Sequence, residues 1–182
     1  MIQKAERIIE AYQKVKPAGC GVIAMDGRAA AGKTTLAEEL AVTLGGAVVH
    51  MDDFFLPGEL RTPERLAAPG GNVHAERFAE EVLPYLRRGE AFRYRRFDCH
   101  RMDYNGWVEI PTVPVIIVEG AYSQYPQFGH YADLTVFCDI APEEQKRRIT
   151  ARNGEEHWMV FREQWIPLEE KYHIKENAML TV

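Results

Sequence analysis

The sequence predicts an α/β fold in which a parallel sheet is covered by helices on both faces. Three observations predict it. Short, unbroken apolar runs recur at "GVIAMD", "GAVVHM", "VPVIIVEG" and "ADLTVFCDI". Segments with helical spacing lie between them. The first run ends in a glycine-bounded turn, "GRAAAGKT", that opens directly into a helical pattern. Strands that are apolar on both faces belong to parallel sheets buried by crossover helices.

Taken in order, the first element is a helix over 2–15, in which Ile2, Ala5, Ile9 and Tyr12 recur at helical spacing with Lys4, Glu6, Arg7 and Glu10 between them. That alternation is not a signal peptide. "GVIAMD" is a buried strand, Lys33 to Leu44 a helix and "GAVVHM" a second strand. "ERFAEEVLPYLRR" is helical, with Phe78, Val82 and Leu86 on one face and Pro84 expected to kink it. "VPVIIVEG" and "ADLTVFCDI" supply two more strands. "PEEQKRRITARN" begins with Pro142 at a first helical position. In the tail, Trp158, Phe161 and Trp165 share a helical face that Pro167 is expected to interrupt, and "AMLTV" reads as a last strand.

The 182 residues suit one domain, 1–182, large enough to bury a real core. The apolar content of 46% and charged content of 27% are those of a soluble globular chain. A net charge of -5 argues against a non-specific nucleic-acid face, which works by neutralising phosphates. Cys20, Cys99 and Cys138 follow no metal-ligand spacing and fit a reducing compartment. No apolar run approaches the roughly 20 residues that cross a bilayer. The expectation is a cytoplasmic protein without membrane or nucleic-acid partners.

Gly27 to Thr34 satisfies G-x-x-x-x-G-K-[ST] in full. Such glycines let the backbone curl around an anion with no Cβ in the way. The turn amides and the positive end of the following helix then meet phosphate oxygens. Gly27, Arg28, Ala29, Ala30, Ala31, Gly32, Lys33, Thr34 and Thr35 are therefore expected to hold a nucleoside triphosphate. Lys33 is the point charge on the outer phosphates, and the Thr34 hydroxyl is placed for Mg²⁺.

Three clusters bear on what is done to those phosphates. Asp52 and Asp53 follow the second strand, at the carboxyl edge where ligands gather in open α/β sheets. A carboxylate there could take a proton from an attacking hydroxyl, hold the metal through water, or be a solvated turn acid. Phe54 and Phe55 are core or pocket wall. Glu119 ends the most apolar strand, and an acid buried there calls for a nearby cation. With Thr34 it is the candidate metal ligand. Arg148 and Arg152 lie four apart on one helix face, where they can stabilise a phosphoryl group in flight from a lid over about 146–157. A solvated basic face is the alternative.

These clusters, in this order, resemble the uridine kinase and phosphoribulokinase group of P-loop kinases. The resemblance runs from about Gly21 to Arg152. It rests on "GRAAAGKTT", on "MDDFF" where that family has a D-S-F-Y type segment, on "VEG", and on the arginine-rich helix after "VFCDIAPEE". It implies a P-loop NTPase fold with a five-stranded parallel sheet. It implies Asp52 as catalytic base on an acceptor hydroxyl, Thr34 and Glu119 on Mg²⁺, and Arg148 and Arg152 as lid arginines. "GNVHAERFAEEVLPYLRRG" followed by "FRYRRFD" looks like the family's acceptor-side region. His74 falls near the place of that family's ribose-binding aspartate, Phe97 replaces the tyrosine of its P-x-Y-D segment, and "RNGEEHW" replaces its E-R-G-R run.

The basic, aromatic stretch Arg87 to Arg101 then borders an acceptor pocket. Arg95, Phe97, Asp98, His100 and Arg101 are candidate acceptor contacts there, with Arg96, and Asp53, His74 and Tyr122 join them. The expected reaction is ATP-dependent phosphorylation of a small-molecule hydroxyl, a uridine- or cytidine-like nucleoside first. An acceptor bearing a carboxylate or phosphate is the alternative, since several arginines lie in the stretch. A regulatory NTPase switch is a third reading, although no N-K-x-D guanine motif is found. His100, His130, His157 and His173 lack metal spacing and are read as ordinary polar residues. The face of Trp158, Phe161 and Trp165 is read as core or as contact in a homo-oligomer.

Overall fold

The computed structural model describes residues 2–15 and 17–182. Helix α1 (Ile2–Val15) buries Ala5 and Ile8 while Ile2 stays exposed, so the inward stripe is turned slightly from the expected one toward Ile8. Strand β1 (Gly21–Gly27) is buried along its whole length. A loop leads into α2 (Lys33–Leu44), which stops at left-handed Gly45. Strand β2 (Ala47–His50) runs into a 3₁₀ turn, Met51–Phe54. Two short helices follow, α3 (Pro63–Ala67) and α4 (Ala75–Glu81). Next come β3 (Phe92–Asp98), β4 (Asp103–Ile110), β5 (Val115–Glu119), β6 (Leu134–Cys138) and α5 (Pro142–Asn153). The tail holds α6 (Glu155–Val160), a π-helical turn Phe161–Trp165, α7 (Ile166–Glu170), α8 (Ile174–Asn177) and β7 (Leu180–Thr181).

Five strands form one parallel sheet in the order β2-β5-β1-β6-β7. The continuous apolar runs serve both faces, because successive side chains point to opposite sides. On β5, Val115 and Ile117 pack with α1 and α2, while Ile116 and Val118 pack with α4 and the hairpin. Each such side chain, fully buried, contributes about 1.5–3 kcal/mol of apolar transfer. The crossovers carry the carboxyl ends of β1, β2 and β5 to one edge, and the site is built there. Among the described residues no helix is long and apolar enough to cross a membrane.

Three elements differ from expectation. The helix beginning at Ala75 ends at Glu81 instead of kinking at Pro84. Proline offers no N–H and disfavours a helical residue before it, so the chain leaves the helix in a series of turns. Phe78, Val82 and Leu86 are nevertheless all buried. The tail helix is not interrupted at Pro167. A widened turn, in which the Ile166 N–H donates to the Phe161 carbonyl, precedes the proline and carries the helical path past it. Finally, β3 and β4 form an antiparallel hairpin that the sequence reading did not foresee. Phe92, Tyr94 and Phe97 point inward, but a bulge between Arg95 and Phe97 breaks the alternation that would have announced a strand.

Candidate active site

The loop between β1 and α2 is shaped by left-handed backbone at Gly32 and Ala30, with φ of 87° and 62°. A Cβ built on Gly32 meets nothing within 4 Å, so the space beside it is open. The N-terminus of α2 has no side-chain cap and no acid in its first turn. Its first N–H groups are therefore left without a capping side chain, the arrangement that suits an anion. Two loop carbonyls are held from outside by α5. Gln145 Nε2 donates to the Ala29 carbonyl at 3.2 Å, and Arg148 donates to the Ala30 carbonyl at 3.2 Å. The trans peptide plane turns the Ala30 N–H the opposite way from the Ala29 carbonyl. Lys33 Nζ lies along the loop, donating to the carbonyls of Gly27 at 2.8 Å and Arg28 at 3.1 Å.

The acids stand at the neighbouring strand ends. Glu119 is the last residue of β5, opposite His50 in the β2–β5 register, and is 4% exposed. Its Oε1 accepts from the Thr34 hydroxyl at 3.1 Å and lies 2.7 Å from His50 Nδ1. The hydrogen bond to Glu119 holds the His50 pKa above its usual value. A hydroxyl and a carboxylate side by side are the hard oxygen donors that suit Mg²⁺. Among the described residues no cluster of three or more His, Cys, Asp or Glu forms a metal cage. Two protein ligands with water and phosphate completing the shell is the arrangement the donors fit. Asp52 follows on the 3₁₀ turn. Solvent reaches it through the cleft, yet the surrounding protein, and next the Glu119 carboxylate, push its pKa up. Asp26 is buried behind the loop, accepting from the Gly27 N–H at 2.7 Å and the Gln124 N–H at 3.1 Å, and burial raises it to about 6.

A single cleft of about 790 Å³ joins these parts, a size typical of small-molecule sites. Ala29, Ala30, Gly32, Lys33, Thr34, Thr35, Asp52, Glu119 and Tyr122 line it, as do Arg148 and Arg152 from α5. The four-residue spacing of the two arginines does bring both to the cleft. Arg148 is also paired with Glu144 at 2.7 Å.

Other predicted residues are engaged elsewhere. Gly27 and Arg28 line a smaller recess behind the loop, where Arg28 pairs with Asp139 at 3.1 Å and Glu170 at 3.0 Å. Ala31, half-buried, packs against the core. Of the nine candidate acceptor contacts, Tyr122 alone lines the cleft. Asp53 accepts from the Tyr94 hydroxyl at 2.9 Å and faces Arg96 at 3.7 Å. His74 precedes α4, with its Nδ1 buried and unpartnered among the described residues. Arg95 pairs with Glu81 at 2.6 Å. Phe97 is buried against Tyr104. Asp98 accepts from the N–H groups of His100 and Arg101 at the hairpin turn, with both of those side chains exposed. A sequence stretch that looked like one binding strip is thus an amphipathic hairpin with most of its charge facing away.

In their place the wall facing the loop is lined by Met51, Phe55, Arg61, Asn72, Cys99 and Met102, and the tail adds His157, Phe161, Trp165 and Glu169. The aromatic tail face expected as core or oligomer contact therefore supplies part of the cleft wall, and His157 joins it. Burial raises Glu169 to about 7. Phe55 is the pocket wall that its place in "MDDFF" allowed, and Met51, Asn72 and His157 lie in segments the resemblance or the lid reading had marked, whereas Arg61, Cys99, Met102 and Glu169 had no motif as cleft residues.

No family model matches the chain. Over 153 residues the chain is 30% identical to a thymidylate kinase from Xanthomonas euvesicatoria pv. vesicatoria (strain 85-10). The match covers 76% of this chain and spans 64% of that protein's length. Three solved structures share the fold. A possible uridine kinase from Bacillus stearothermophilus aligns over 98% of this chain and 97% of its own, with a TM-score of 0.70 at 17% identity. A candidate fructose transport system kinase from Silicibacter sp. TM1040 aligns over 98% of each chain, with a TM-score of 0.76 at 22% identity. A D-glycerate 3-kinase from Cryptococcus neoformans var. grubii aligns over 91% of this chain and 86% of its own, with a TM-score of 0.61 at 15% identity. Sheet order, phosphate loop and these likenesses agree that the chain has the fold of the P-loop kinases.

Proposed function

We propose that this chain is an ATP-dependent kinase that transfers the γ-phosphoryl group to the hydroxyl of a small-molecule acceptor. The observation that carries the reading is that Lys33, Thr34, Glu119 and Asp52 line one cleft together with Arg148 and Arg152. The loop amides and Lys33 bind the phosphates, and the uncapped start of α2 adds its dipole. Thr34 and Glu119 are the groups that would hold Mg²⁺, which when bound neutralises charge on the phosphates. His50 orients the Glu119 carboxylate through their shared hydrogen bond. Asp52 accepts the acceptor's hydroxyl proton as that oxygen bonds to the γ-phosphorus, and the bond to the departing ADP oxygen breaks. Arg148 and Arg152 stabilise the charge spread over the transferred group. Catalysis on this reading is mostly positioning and electrostatic stabilisation.

A uridine- or cytidine-like acceptor was the first expectation, on the order of the matching segments, and His74 and Phe97, where the chain departs from that family, do not line the cleft. An ADP-release assay with ATP and Mg²⁺ fixed tests the reaction. Acceptor-stimulated release should fall by roughly 10²–10⁴-fold in Asp52→Asn while ATP binding stays within a few-fold. Wild-type transfer in that variant would remove Asp52 as the base.

A further inference from the structure

The arginines around the acceptor wall are nearly all matched to acids. Arg65 pairs with Glu76 at 2.7 Å, Arg77 with Glu81 at 3.2 Å and Arg95 with Glu81 at 2.6 Å, while Arg96 faces Asp53 at 3.7 Å. Arg61 differs. It follows a short 3₁₀ turn, Gly58–Leu60, that fixes its backbone by a hydrogen bond from the Arg61 N–H to the Gly58 carbonyl at 3.2 Å. Its half-buried side chain lines the cleft. Among the described residues it makes neither an ion pair nor a side-chain hydrogen bond. A cation held in a cleft without a counter-charge is a ready partner for a ligand anion.

The other cations of the cleft belong to the phosphate side. Lys33 is part of the loop, Arg148 donates to the Ala30 carbonyl, and Arg152 lies one turn along the same helix. Arg61 comes from the opposite wall, the segment between β2 and α4. Asn72 reaches the cleft from the end of the same segment, its side-chain amide free of partners among the described residues. The Phe55–Val73 bridge holds the two ends of this segment together. Arg61, Cys99 and Asp52 line the same cleft, so base and cation face a common space. Phe55, Met102 and Cys99 supply the apolar remainder.

We infer that the acceptor is a small hydroxylated compound carrying a carboxylate or phosphate, and that Arg61, assisted by Asn72, binds that anionic group so that the hydroxyl meets Asp52. The inference rests on the kinase reading above. It names a specificity residue outside the basic stretch 87–101, whose arginines the structure turns to other tasks.

The test is ADP release with three acceptors, D-glycerate for a carboxylate, ribulose 5-phosphate for a phosphate and uridine for a neutral nucleoside, in the wild type, Arg61→Ala and Arg61→Lys. One anionic acceptor should stimulate release. Arg61→Ala should raise its KM about 10–100-fold, as expected for loss of a charged hydrogen bond, with kcat and the KM for ATP nearly unchanged. Arg61→Lys, which keeps the charge and loses the fork, should fall between. Which anion responds separates carboxylate from phosphate recognition. Stimulation by uridine alone, or an anionic KM untouched in Arg61→Ala, overturns this inference and leaves the kinase reading standing. Silence from all three acceptors, with release no greater than without them, counts against both.

Discussion

A methyl group added at Gly27 and one added at Gly32 should fail in different ways. Gly27 has a φ of 142°, and a Cβ there would lie 2.2 Å from the Cys138 carbonyl oxygen and 2.6 Å from the Cys138 nitrogen. Those atoms are the backbone of β6, which pairs with β1 at this residue, so they cannot step aside as a flexible side chain would. Gly27→Ala combines backbone strain of about 1–2 kcal/mol with overpacking of about 1–3 kcal/mol. The sum, roughly 2–5 kcal/mol, lowers Tm by roughly 4–20 °C in a chain of this size. Gly32 has a φ of 87° but open space beside it. Gly32→Ala costs the strain alone, about 1–2 kcal/mol or roughly 2–8 °C. Its methyl group, however, enters the space where phosphates are read to sit. Thermal melts rank the stabilities, and titration with a fluorescent ATP analogue reads binding. Gly32→Ala should bind at least roughly tenfold more weakly despite its milder melt. Normal nucleotide affinity in Gly32→Ala would refute the phosphate cradle. A Gly27→Ala melt no lower than that of Gly32→Ala would refute the steric argument.

Three further outcomes are expected. Arg148→Ala should lower kcat by roughly 10²-fold or more and weaken ATP binding much less. Gln145→Ala, which removes a loop brace without removing a cation, serves as the control, and equal losses in the two variants would assign Arg148 to the brace alone. Glu119→Gln should raise the Mg²⁺ concentration for half-maximal turnover at least roughly tenfold while leaving nucleotide binding in EDTA nearly intact, and an unchanged Mg²⁺ titration would take Glu119 out of the metal site. For Asp26, the folded pKa of about 6 lies above the ordinary 3.8, so the folded state keeps a proton that the unfolded chain gives up. Its contribution to stability is therefore present at low pH and declines as pH rises from about 4 to about 6, by roughly 3 kcal/mol for a shift of about two units. Urea unfolding of wild type and Asp26→Asn across that window should show their stability difference moving in that direction, and a pH-independent difference would contradict it.

The elements that were legible in the sequence are those whose local pattern and tertiary role agree. Lys33–Leu44 and Pro142–Asn153 begin and end where the motif and the proline indicated, and β1, β5 and β6 follow their apolar runs. The loop side of the cleft was legible for the same reason, since one contiguous motif carries it. The facing wall was not. It is assembled from a loop around Arg61, the residue Asn72, a hairpin tip and the tail, segments that are distant along the chain and have no shared period. Charge in the 87–101 stretch is contiguous and so forms a pattern, whereas a lone arginine in a loop leaves none. The hairpin hid behind its own bulge, and Pro167 suggested a stop only because a widened turn is invisible to a 3.6-residue period.

The two hydrogen bonds from Gln145 and Arg148 to the Ala29 and Ala30 carbonyls join α5 to the phosphate loop as one mechanical piece. A displacement of the helix that keeps both bonds takes the Ala29–Ala30 segment with it, so Arg148 and Arg152 keep their place relative to that segment. Gly154, with a φ of 88°, marks the turn from α5 into α6, beyond which the aromatic tail lays His157, Phe161 and Trp165 on the cleft wall.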